Sequence, residues 1–109
     1  MASKIRDRIV TNAVQCFSLK GYHGCSTKDI AERANVTEGS LFRLCSSKEQ
    51  LFNEALSVAL HAKKIRKPQL RMIAFAMLEG KGFSEENKKT LARLARGSAL
   101  LRELRAISK

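Results

Sequence analysis

The chain has 109 residues, with 21 Lys and Arg against 10 Asp and Glu, for a formal charge of +11. That length suits one domain, or one small domain with an appendage, and leaves little room for a sheet enzyme with a deep cleft; 44% hydrophobic and 28% charged residues are globular rather than disordered proportions. A positive excess of this size attracts polyanions at long range, and nucleic acid stands ahead of an anionic membrane surface as the partner it predicts.

The first helix is expected to open at Ser3 as N-cap, to set Ile5, Ile9, Ala13 and Phe17 on one face with Val10 and Val14 beside them, and to stop at Gly21. Ser26 with Asp29 marks the start of a short second helix whose apolar face is Ile30, Ala31 and Ala34. Asn35 tolerates a left-handed backbone, Val36 can tuck inward, and Thr37 can cap a third helix from Glu38 to Leu44. Overlapping capping boxes, Ser46 with Glu49 and Ser47 with Gln50, predict a fourth helix from about Lys48 through Leu51, Phe52, Ala55, Leu56, Ala59 and Leu60.

The basic run Lys63, Lys64, Arg66 and Lys67 before Pro68 marks a boundary. Beyond it, Leu70, Ile73, Ala74, Met77 and Leu78 predict a helix closing at Gly80 and Gly82. Ser84 then caps a last helix running through Leu91, Leu94, Ala95, Leu101, Leu104 and Ile107, apolar on more than one side because of Ala92, Ala99 and Leu100. No run of alternating Val and Ile suggests a strand, so the fold class is all-α: a helix-turn-helix bundle over residues 1–67, then a short helical hairpin over 68–109 expected to dimerise. The charge divides almost evenly, 12 basic and 6 acidic groups before Pro68 and 9 and 4 from it onward.

Two short helices joined by a three-residue turn and framed by longer ones place a recognition helix in the DNA major groove. The candidate is Thr37 to Leu44. Gly39 lets backbone approach DNA, Thr37 and Ser40 offer hydroxyls, and Arg43 can reach a guanine or a phosphate. The stretch GYHGCSTKDIAERANVTEGSLFRLCSSKEQLF, from Gly21 to Phe52, resembles the DNA-binding domain of the TetR family of bacterial transcriptional regulators, and the resemblance covers about the first 60 residues. It rests on Ala13, Phe17, Gly21, Tyr22, Thr27, Ile30, Ala31, Ala34, Val36, Gly39, Leu41, Ser47, Lys48, Glu49 and Leu51 in order.

The resemblance implies DNA contacts from Thr27 and Lys28, from Thr37, Gly39, Ser40, Phe42 and Arg43, and from Lys48. Thr27 and Lys48 would meet phosphates, and Thr37, Ser40 and Arg43 base edges. Phe42 replaces the family's usual tyrosine, and Cys45 replaces an aromatic under the recognition helix. Relatives typically continue into a larger effector-enclosing domain, whereas 42 residues follow Lys67 here, which argues against a small-molecule switch.

The expected function is a sequence-specific, dimeric DNA-binding regulator, a repressor on a palindromic operator. The alternatives are a truncated interaction protein that pairs with another regulator, and a binder of DNA without sequence preference. No catalytic or cofactor motif stands out, and cysteines at 16, 25 and 45 match no compact zinc spacing. They are read as the free thiols of a reduced, cytoplasmic protein, with Cys16 a buried filler. No apolar stretch approaches the roughly 20 residues of a membrane span. Tyr22 is left between packing on the first helix and reaching the DNA backbone.

Overall fold

The computed structural model describes residues 3–96 together with residue 102. Among these residues six helices and no strand are found: α1 (Ser3–Gly24), α2 (Thr27–Ala34), α3 (Glu38–Leu44), α4 (Lys48–Leu60), α5 (Lys67–Glu79) and α6 (Glu85–Ala95). The all-α expectation holds. Leu100, Leu101, Leu104 and Ile107, expected to extend the last helix, lie outside the described residues.

Local chemistry sets most of the boundaries. Regular α1 backbone is interrupted at Gly21, whose φ of 76° suits glycine, and a Cβ there would crowd the Phe75 ring, 3.2 Å from its Cε1. Ser26 and Asp29 form the reciprocal capping box at the head of α2. Asn35 closes that helix at φ 59°, ψ 47°, in the left-handed region that asparagine tolerates. Pro68 falls in the first turn of α5, where its missing N–H would have had no helical partner. Neither reciprocal box forms at α4, where Ser47 is a simple N-cap, its hydroxyl accepting from the Gln50 N–H at 3.1 Å. The Gln50 side chain turns back to Ser46, and Glu49 faces Lys81 at 3.5 Å instead of Ser46.

One core runs through all of α1 to α5. Phe17 and Phe52 meet edge to face at its centre, with Ile9, Ile30, Leu41, Leu51 and Leu56 fully buried around them. Leu70, Met72, Ile73 and Ala76 of α5 belong to this same core. That corrects the expected apolar face of α5: Met77 and Leu78 point to solvent, and Met72 and Ala76 take the inner positions, because the helix lies against both α1 and α4 and is rotated to bring Phe75 over Gly21. Ile5 is likewise exposed rather than on the buried face of α1. On α6 the inward positions include two polar residues, Asn87 and Thr90, with Leu91 and Leu94 half-buried beside them.

The thiol expectation also needs correction. Cys16 and Cys25 are joined in a disulfide, their Cα atoms 6.1 Å apart, because the break at Gly21 turns the chain back toward α1. Cys16 is buried as expected, but it ties the end of α1 to the residue preceding the α2 cap. Cys45 is the one free cysteine, buried at the end of α3.

Candidate nucleic-acid interface

The turn between α2 and α3 is held by the Val36 N–H, which donates to the Ala31 carbonyl at 2.9 Å, and by the Asn35 N–H, which donates to Glu32 at 3.1 Å. Ile30, Ala31, Ala34 and Leu41 face inward, which fixes the rotation of both helices about their axes. What α3 then presents outward is decided by the same rotation: Glu38, Gly39, Phe42 and Arg43 are exposed and Ser40 is half-buried. Phe42 keeps 43% of its surface in water, a costly place for an aromatic ring with no partner.

The Thr37 hydroxyl caps α3, accepting from the Ser40 N–H at 3.1 Å, and lies 3.1 Å from the Ser40 hydroxyl. Thr27 Oγ1 donates to the Glu38 carboxylate at 3.2 Å and links the heads of α2 and α3. Glu38 therefore acts inside the motif as a brace. A Cβ built on Gly39 would meet nothing nearer than Thr37 Oγ1 at 3.8 Å, so packing within the chain does not call for glycine there. Thr27 is half-buried and Lys28 exposed at the first turn of α2.

Behind α3, Cys45 Sγ lies 3.5 Å from Glu54 Oε2, and Glu54 also pairs with Arg6 of α1. Burial, reinforced by the Glu54 charge, pushes the Cys45 thiol up to about 11. At the head of α2 the Asp29 carboxyl is held below its ordinary value by the Ser26 backbone N–H and then by the Ser26 hydroxyl. Asp29 also faces Lys20 at 3.8 Å.

Lys48, at the start of α4, does not extend freely into solvent. Its ammonium stands 4.4 Å from the centroid of the Tyr22 ring, and Lys81, from the α5–α6 connection, stands 4.9 Å from the same centroid. Tyr22 packs on Phe17 and Phe52, so its ring is a platform fixed to the core. Desolvation, with the neighbouring Lys81 charge second, lowers the Lys48 ammonium below its ordinary value. Sequence reasoning missed Lys81 altogether. It sits between two glycines in what reads as a turn, and only the tertiary fold brings it to Tyr22.

Thr27, Lys28, Thr37, Gly39, Ser40, Phe42 and Arg43 all lie on α2, α3 or the cap of α3, and Lys48 follows three residues after Cys45, the α3 C-cap. Among the described residues no three His, Cys, Asp or Glu side chains converge as a metal site would need, and no helix is long and apolar enough to cross a membrane. A capped α2, a left-handed Asn turn and a short α3 with small and basic groups outward define a helix-turn-helix motif.

Comparison with known proteins agrees. Residues 9–55 match the family described as bacterial regulatory proteins, tetR family. It is 35% identical over 52 residues to the biofilm operon icaADBC HTH-type negative transcriptional regulator IcaR of Staphylococcus aureus (strain Newman). The corresponding regulator of Staphylococcus epidermidis is 33% identical over 52 residues. Each alignment covers 48% of this chain and 28% of the relative.

Proposed function

We propose that this protein is a transcriptional repressor that binds a palindromic operator as a homodimer, with α3 as the recognition helix. The observation that carries the reading is the outward face of α3. Its inward positions are fully used by the core, while Gly39 leaves open space, Phe42 is exposed and Arg43 has no carboxylate partner among the described ion pairs. Ser40 and Arg43 would read base edges in the major groove, and Thr37, Gly39 and Phe42 would fit the groove wall. Thr27, Lys28 and Lys48 would fix register on phosphates.

A twofold axis supplies the palindrome, since two recognition helices about one helical turn of DNA apart, roughly 34 Å, meet equivalent half-sites. Residues 68–109 are proposed as the dimerisation element; Met77 and Leu78, exposed on the outer side of α5, support that assignment. Repression rather than activation is supported by the negative regulators that the domain resembles.

Selection from random duplexes tests the reading. The wild-type chain should enrich an inverted repeat, and Arg43→Ala or Ser40→Ala should change or abolish the preferred bases by about 1–3 kcal/mol of discrimination each. An unchanged consensus in both variants would refute the recognition-helix assignment. A mixture of this chain with another regulator as the smallest DNA-retaining species would instead favour the interaction-protein alternative.

A further inference from the structure

We infer that Lys81, from the connection between α5 and α6, joins Lys48 across the Tyr22 ring to form a two-lysine seat for phosphodiester groups of the DNA backbone beside the recognition helix. The inference rests on the DNA-binding reading above and extends the DNA contact surface beyond residues 9–55.

Three features of the structure lead to it. First, the two ammoniums stand 4.4 and 4.9 Å from the centroid of one aromatic ring, and that ring is fixed by Phe17 and Phe52. Like charges gathered on one platform repel, and an anion between or above them relieves the repulsion. A single carboxylate, Glu49, stands 3.5 Å from Lys81, while Lys48 has no ion-pair partner among the described residues. Two cations against one anion leave the seat positive.

Second, the connection is held in place rather than left to wander. Gly82 presses on α4 so closely that a Cβ there would lie 3.0 Å from both Leu56 Cδ2 and Phe52 Cδ2, and its φ of 84° belongs to glycine. Buried Asn87 donates to the Gly82 carbonyl at 2.7 Å and to the Asn53 carbonyl at 3.1 Å. The backbone that carries Lys81 is thus fastened to α4 on one side and to α6 on the other. A fixed cation spends less conformational entropy on binding than a free side chain.

Third, the position suits a strand passing the recognition helix. Lys48 begins α4 three residues beyond the α3 C-cap, so the seat lies within about 10 Å of chain from the end of α3. Phosphates flanking a major-groove helix are the nearest polyanion to such a site, and contacts there set register without reading sequence.

The test is duplex binding by anisotropy over a range of salt concentrations, on a mixed-sequence duplex and on the selected one. Lys81→Gln should weaken both about equally, by roughly tenfold at low salt, and make the slope of log K against log salt shallower by about 0.9. Lys81→Arg should behave as wild type, and Lys88→Gln, on the exposed side of α6, should leave the slope unchanged. Glu49→Gln should tighten binding, and that gain should vanish in the Glu49→Gln, Lys81→Gln double variant.

If Lys81→Gln keeps the wild-type slope while Lys48→Gln loses slope, the inference is overturned and the DNA-binding reading stands. A gain from Glu49→Gln that persists in the double variant overturns it too. If the wild-type chain retains no duplex at any salt, the reading and the inference fall together.

Discussion

Asn87 offers the sharpest test of how the α5–α6 connection is built. Its side-chain amide reaches the Gly82 carbonyl at 2.7 Å and both the carbonyl and the side-chain oxygen of Asn53 at 3.1 Å, with 1% of the residue exposed. Two amide hydrogens serve three acceptors, so truncation to alanine removes about two full bonds, worth on the order of 1 kcal/mol each. It also strands acceptors that water cannot easily reach, at a further 1–3 kcal/mol or so. Asn87→Ala should therefore cost about 3–5 kcal/mol, a large fraction of the roughly 5–15 kcal/mol typical of a whole domain.

Urea unfolding followed by circular dichroism measures the free energy, and a thermal melt should show a fall in Tm of roughly 12–40 °C. Asn87→Asp sharpens the argument, because it keeps the shape and points an oxygen at three oxygens. Its carboxyl would be held protonated in the fold, above an unfolded value of about 3.9, so the penalty should be small in acid and grow as pH rises through that value. A loss below about 0.5 kcal/mol for Asn87→Ala, or a pH-independent loss for Asn87→Asp, would refute the idea that this amide fastens the connection to α4.

Gly39→Ala should raise the unfolding free energy by about 0.5–1 kcal/mol, since alanine suits a helix better and the Cβ meets open space, yet it should weaken duplex binding in the same preparation. Loss of stability would show that packing, not DNA, calls for the glycine. Cys45, pushed up to about 11, should resist iodoacetamide at pH 8 until the chain unfolds. Because its folded value lies above the unfolded one, stability should fall as pH climbs from about 9 toward 11, and Cys45→Ala should flatten that part of the profile. Replacing Cys16 and Cys25 together by serine should cost about 2.5 kcal/mol from the nine-residue loop alone, measured against oxidised wild type; equal stability of the oxidised and reduced wild-type chains would refute the contribution of the tie.

How much of this was legible in the sequence depends on the range of the interaction involved. Capping residues act within one turn, so Ser26, Thr37, Ser47 and Ser84 marked the helix starts correctly, and Asn35 and Gly80 the left-handed ends. The outward positions of α3 followed from a short helix whose inward residues are unmistakable. The face of α5 did not follow, because Leu70 and Ile73 fit two adjacent stripes, one continued by Met77 and Leu78 and the other by Met72 and Ala76. Choosing between them requires knowing that α1 and α4 both flank the helix and that Phe75 closes over Gly21.

The site divides by interaction range in the same way. Thr37, Gly39, Ser40 and Arg43 are neighbours in sequence, and their grouping needs no tertiary information. The Lys48–Tyr22–Lys81 cluster draws one residue from the end of α1, one from the head of α4 and one from a turn beyond α5, and no spacing announces it. Its two determinants, Gly82 against Phe52 and Leu56, and Asn87 against Asn53, are each unremarkable in the sequence: a glycine in a turn and an asparagine on a helix. Together they tie the last described helices to the reading head, which makes the short helical tail part of what holds α4, and Lys48 with it, in position.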